Sequence, residues 1–292
     1  MSEQRKVAIV AGAIRGIGLG IAASLASKGV NTLLLYYDWL EQLPEMQAVM
    51  EESCSKSGAQ YHAISADLRN RKDAEMVADK AISLWNRADI LINNIERGGW
   101  PIVHGPYTPE QWDLEFQTTV TAKWNLFNAL LPHLKRGGSG SVINISSIAA
   151  EVGRAGPAAP VFNDCYSLSN RAIRSLTRQW AREAAPEVRV NELMLGFFET
   201  RHGPGTRGWS LLSPQEQQAI IDHTLLGRTG VIEEIIDAVN FLVFNAGFIT
   251  GTSILIDGGY LIGGEKAEEM PEGVVKPGEP TFGGKIPPAG KR

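Results

Sequence analysis

The chain has 292 residues, 43% of them hydrophobic, and a formal net charge of −4. That is enough apolar material for a substantial core, while the mild negative balance excludes the basic patches that bind nucleic acid or anionic membranes. The two cysteines, Cys54 and Cys165, match no metal spacing and read as buried or idle thiols. No apolar run reaches the roughly 18 residues of a membrane span. The first six residues lead into a strand without a signal-peptide pattern, so a soluble, cytoplasmic protein is expected.

Residues 6–11 form a continuous apolar run of the kind that parallel sheets bury on both faces. The glycine-rich stretch 12–20 follows, then a helix through Lys28 with Gly29 as its C-cap. Further strands are expected at 31–37, 60–66, 89–94, 141–147, 188–194 and 252–257. Helices are expected at 40–56, 71–86, 109–134, 163–185 and 232–245. Such alternation predicts an α/β fold, a Rossmann-type doubly wound parallel sheet of about seven strands flanked by helices. Residues 148–162 and 196–225 read as long loops of the binding type. Beyond Gly264, Pro271, Pro277, Pro280, Pro287 and Pro288 with several glycines cannot build a core. A domain over 1–264 and a tail over 265–292 are therefore expected.

Gly12, Gly16 and Gly18 lie between the first strand and the first helix. There the backbone must turn sharply, admit a pyrophosphate closely and present free N–H groups. In the helix at 163–185, Cys165, Leu168, Ala172, Ile173, Leu176, Trp180 and Ala181 recur at helical spacing. Tyr166 and Asn170, four apart, share one face. The strand just upstream ends in the hydroxyls of Ser146 and Ser147. A strand-end serine facing a helical tyrosine suits chemistry at a carbonyl or alcohol.

Ser147 followed by Tyr166 on such a strand and helix resembles the active site of the short-chain dehydrogenase/reductase family. The glycine turn is similar to the family's T-G-x-x-x-G-I-G, with Ala11 for threonine. Residues 189–200, R-V-N-E-L-M-L-G-F-F-E-T, resemble R-V-N-x-x-x-P-G-x-x-x-T, with Leu195 for proline. Residues 226–242 and 249–260 resemble the family's C-terminal signature, and the likeness runs over about 7–262. It implies a nicotinamide dinucleotide held by Gly12, Arg15, Gly16, Ile17 and Gly18, with Tyr37 and Asp38 at the second strand's end. Asp67 and Leu68 would hold the adenine, Asn93 on the fourth strand would also contact the cofactor, and Thr200 would meet the carboxamide. Arg15 favours NADP(H) and Asp38 opposes it; NADP is preferred over NAD. The resemblance also implies a homotetramer or homodimer and a small carbonyl or alcohol substrate.

In the family, tyrosine exchanges the alcohol proton and serine polarises the oxygen. Lysine holds the ribose and lowers the phenol's pKa, and a helical asparagine anchors a water. Here Asn170 replaces the lysine, Thr119 the asparagine, and Asn93-Asn94-Ile95-Glu96 the usual N-N-A-G. The stretch between Ser147 and Tyr166 is also lengthened. Two functions compete: an oxidoreductase with an atypical catalytic set of Ser147, Tyr166, Asn170 and Thr119, or a nucleotide-binding protein without ordinary redox activity. The second includes a non-redox enzyme using Tyr166 and Glu96. Lys123, Arg97, Arg154 and Arg171 are candidate replacement cations, each read first as a solvated surface charge. Trp100, Phe162, Phe197, Phe198 and Trp209 above the strand ends suggest a ring-bearing substrate. Trp124 and Trp180 suggest helix packing at a subunit interface. His104, His133, His202 and His223 show no pairing that would make a metal site.

Overall fold

The apolar runs at the centre of the sheet become buried strands because helices cover both of their faces. In the computed structural model, residues 4–96, 107–200, 209–265, 267 and 269 are described. The strands are β1 (Val7–Ala11), β2 (Asn31–Tyr36), β3 (Tyr61–Ser65), β4 (Ile90–Asn93), β5 (Gly140–Ser147), β6 (Val188–Leu195) and β7 (Ser253–Ile256). They form one sheet of order β3-β2-β1-β4-β5-β6-β7, parallel throughout. Ala11 pairs with Leu35 on one side and Asn93 on the other. The strand order reverses between β1 and β4, so the turns leaving these two strands open a crevice, where this architecture binds ligands.

One face packs α1 (Gly16–Ser27), α2 (Leu43–Ser57) and α9 (Ile232–Asn240); the other packs α3 (Arg71–Trp85), α5 (Ala122–Arg136) and α7 (Asp164–Ala184). A third cluster beyond the ends of β5 and β6 gathers Ile148, Val161, Phe162, Tyr166, Phe197, Trp209 and Tyr260.

Several expectations are corrected. The helix at 109–134 is α4 (Pro109–Phe116), a π-helical turn at Gln117–Thr121, and then α5. The stretch 148–162 contains a short helix, α6 (Ala149–Val152), and 196–225 contains α8 (Pro214–His223). The start of α8 is fixed by a capping box in which Ser213 Oγ accepts from Glu216 N and Glu216 Oε2 accepts from Ser213 N. Leu168 is exposed, outside the buried face of α7. Trp180 belongs to the core: it is 2% exposed and stacks on Phe127 with centroids 4.2 Å apart. Trp124 is exposed. Cys54 and Cys165 are both buried and unpaired. Arg97, Trp100, His104, His202 and the prolines of the tail lie outside the described residues.

Because Trp180 fills the core, Trp180→Ala should lower the unfolding free energy by about 3–5 kcal/mol in a denaturant titration. Trp124→Ala should stay within about 0.5 kcal/mol of the parent. Equal losses would contradict these packing roles.

Candidate active site

The crevice begins at the glycine turn. Gly12 has φ +68°, and a Cβ there would lie 2.4 Å from Asn94 O; one on Gly18 would lie 2.1 Å from Gly12 O. These two glycines close the turn against itself and against the end of β4. Gly16, at φ +56°, has nothing within 4 Å of where its Cβ would be. Its backbone faces open space at the start of α1, whose N-cap, Arg15, makes no side-chain cap bond. The result is a cradle with backbone N–H groups at a helix N-terminus.

Around the cradle, the Arg15 guanidinium lies 3.8 Å from the centroid of the Trp39 ring. Ile17 is half-buried, while Tyr37 and Asp38 are exposed. The Arg69 guanidinium lies over Tyr37 at 5.5 Å. Arg69 also donates to Asp67 at 2.7 and 2.6 Å, which holds that carboxyl below its ordinary range. Leu68 is buried. Asn93 is fully buried and donates to Asn144 Oδ1 at 2.8 Å; Asn144 donates on to Thr177 Oγ1, tying β4, β5 and α7 together. Thr200 is half-buried five residues past the end of β6.

At the other end of the crevice, Ser147 closes β5, and its Oγ accepts from Ala149 N at 3.1 Å. Asn163 caps α7 by accepting from Tyr166 N at 2.9 Å, which fixes Tyr166 in the first turn. Tyr166 is 2% exposed, with its ring stacked on Phe162. Its hydroxyl donates to Glu96 Oε2 at 2.9 Å. Asn170 is fully buried and donates back along its own helix to Tyr166 O at 3.0 Å; its Oδ1 has no hydrogen-bond partner.

Thr119 sits within the π turn, buried, and donates to Glu115 Oε1 at 2.6 Å. One helical repeat on is Lys123, where the expectation of a solvated charge is overturned. Lys123 has no exposed surface, and its Nζ donates to Ile145 O at 2.7 Å. Burial pulls the amine down to about 8, against the opposing pull of Glu96, Glu192 and Glu115. Of the other candidate cations, Arg154 and Arg171 are exposed and pair with Asp164 and Glu151.

Glu115 and Glu192 escaped the sequence reading. Glu192 is fully buried in β6, where Ser146 Oγ donates to it at 2.5 Å and Ser253 Oγ also donates. The available signals were a carboxylate four residues before Thr119 and a charge inside an otherwise apolar strand.

The Lys123 amine sets a pH dependence with a definite sign. Its folded pKa lies below the unfolded one, so between about 8 and 10.5 the unfolded chain binds more protons. Stability from this group therefore rises with pH across that window. The drop from 10.5 to about 8 corresponds to a gain on the order of 3 kcal/mol at 1.36 kcal/mol per unit. Denaturant titrations of the parent minus those of Lys123→Met should show this rise; a flat difference would contradict it.

The family model described as enoyl-(acyl carrier protein) reductase matches residues 12–261. A protein described as ketoacyl reductase 2 of the granaticin polyketide synthase of Streptomyces violaceoruber is 34% identical, covering 88% of this chain and 97% of its own. A cyclopentanol dehydrogenase of Comamonas testosteroni is 32% identical over 87% of this chain and 96% of its own. Among solved structures, a mutant short-chain dehydrogenase/reductase of Serratia marcescens superposes with a TM-score of 0.75 at 27% identity, covering 88% of this chain and 98% of that one. A blue fluorescent protein from a metagenomic library, in complex with NADPH, superposes at 0.73 with 27% identity, covering 87% and 97%.

Proposed function

The chain belongs to the short-chain dehydrogenase/reductase family, and on that premise we propose that it is an NADP(H)-linked oxidoreductase interconverting a ring-bearing carbonyl compound and its alcohol. One observation carries the reading. Asn94 Nδ2 donates to Gly12 O at 3.3 Å, and Glu96, two residues on, accepts from the Tyr166 hydroxyl. The glycine cradle and the proton-bearing phenol are thus the two ends of a single three-residue span.

The cradle fits a dinucleotide. Open space at Gly16 and the N–H groups that open α1 suit a pyrophosphate. Arg15, held over Trp39 at the lip, suits a 2′-phosphate better than a bare ribose. When bound, the nicotinamide ring supplies the donor or acceptor of hydride. The chain's own part is to orient the substrate oxygen with the Ser147 hydroxyl and to exchange its proton at the Tyr166 oxygen. Phe162, Phe197 and Trp209 pack beside Tyr166 as an apolar wall, in keeping with a ring-bearing substrate such as the one named for the Comamonas relative. Asn170 faces inward and carries no charge, which makes the catalytic set atypical. The working form in this reading is a cytoplasmic homodimer or homotetramer, with residues 265–292 appended to the 1–264 domain. Among the described residues, no helix is long and apolar enough to cross a membrane.

A fluorescence titration should show NADPH binding in the micromolar range, lost in Gly16→Asp, whose carboxylate would repel the pyrophosphate. Arg15→Ala should weaken NADPH more than NADH. Cyclic alcohols with NADP⁺, or the matching ketones with NADPH, should turn over measurably. Binding without turnover on either panel would leave a nucleotide-binding protein and end the oxidoreductase reading.

A further inference from the structure

We propose that Glu96 takes and returns the proton of Tyr166 during turnover, with buried Lys123 as its counter-charge, and so gives that proton a destination in a site where Asn170 supplies no cation. This rests on the oxidoreductase reading above.

The Tyr166 hydroxyl proton points at Glu96 Oε2, 2.9 Å away, from a ring almost wholly shielded from water. A phenol that donates to a carboxylate keeps its lone pairs for the substrate hydroxyl. Glu96 stands on the segment leaving β4, half-buried at the crevice, and Asn94 anchors that segment to the glycine turn. Among the described residues, the titratable groups that bear on Glu96 include Tyr166 from α7 and Lys123 from α5. Lys123 also faces Glu192 and Glu115; Ser146 and Ser253 donate to the first and Thr119 to the second, whereas the hydroxyl that donates to Glu96 is that of Tyr166. Of the three carboxylates, Glu96 bears most strongly on Lys123, and its Oε2 is the acceptor of the Tyr166 proton.

In alcohol oxidation, the substrate O–H bond breaks as a bond to the Tyr166 oxygen forms, and the former phenol proton forms an O–H bond on Glu96. The two electrons of the carbinol C–H bond leave as hydride, taken up by the oxidised nicotinamide dinucleotide. Carbonyl product, reduced dinucleotide and neutral Glu96 acid balance the step. Reduction runs the same transfers backwards and starts from protonated Glu96. The arrangement therefore favours oxidation wherever Glu96 is a carboxylate, and that advantage is lost on acidification.

The test uses the full chain in two measurements. With cyclopentanol and NADP⁺, Glu96→Gln should lower kcat by roughly tenfold or more with KM little changed, and should abolish the acid limb of the kcat profile, while Glu96→Asp recovers part of both. Without dinucleotide, ultraviolet difference titration against Tyr166→Phe isolates the Tyr166 phenolate. Its ionisation should move to lower pH by about one unit in Glu96→Gln, because the like charge beside it has gone. An active wild type whose Glu96→Gln variant keeps the same kcat and pH profile overturns the relay alone, as does an unmoved phenolate titration. A wild type that neither binds NADPH nor turns over overturns the oxidoreductase reading and the relay with it.

Discussion

A lysine with no exposed surface constrains everything packed around it. Withdrawing an ammonium from water costs on the order of several kcal/mol even after relaxation, unless charge and hydrogen bonds are supplied locally. Around Lys123 they come from separate parts of the fold: Ile145 O on β5, Glu192 on β6, Glu115 on α4 and Glu96 beyond β4. A shift of α5 along the sheet would separate the amine from all of them. This site fixes the register between the helix bearing Thr119 and the strand ending in Ser147. The geometry of the crevice and the stability of the core meet in one side chain.

The π turn before α5 belongs to the same constraint. Its extra residue rotates α5 relative to α4, so Thr119 bonds Glu115 one turn back while Lys123 enters the sheet–helix interface. Such turns collect at functional positions because they re-aim side chains without breaking the helix. Thr119 thereby meets a carboxylate, and Lys123 a strand carbonyl within the field of three more distant carboxylates. The polar core has a second layer in Asn93, Asn144 and Thr177, which tie β4, β5 and α7 together.

Much of this was legible in the sequence, for identifiable reasons. The strands of a parallel sheet are apolar on both faces, so they announced themselves as continuous runs, and Gly12, Gly16 and Gly18 fell where the backbone demands them. The π turn was not legible, since a shift of one hydrogen-bond step leaves the apolar period of 109–134 almost intact. The helix α8 carried its capping signal in Ser213 and Glu216, but the glycines, Pro204 and Trp209 just upstream outweighed it. Trp180 looked surplus to one inward face because its partner, Phe127, lies on another helix. Lys123 was the hardest case. A lysine on a helix reads as solvated unless its carboxylate partners are known, and these are brought together only by the fold.

In the proposed active site, an uncharged Asn170 where the family pattern has lysine would change the electrostatics more than the fold. A cation four residues after a tyrosine stabilises the phenolate directly, whichever way the reaction runs. The arrangement here interposes a carboxylate: phenol to Glu96, with Lys123 beyond it. A carboxylate beside a phenol discourages the free phenolate but provides somewhere for its proton to go. In the proposed relay, proton transfer and phenol basicity, combined in one lysine–tyrosine pair in the family pattern, would be divided between two residues on separate elements. The segment after β4 still approaches the glycine turn at Asn94, but at Glu96 it carries a side chain long enough to reach Tyr166 where the family pattern has glycine. Under the proposed relay, Glu96 in place of glycine and Asn170 in place of lysine act as one coupled change: the carboxylate takes up the proton that a lysine would otherwise help the phenol release.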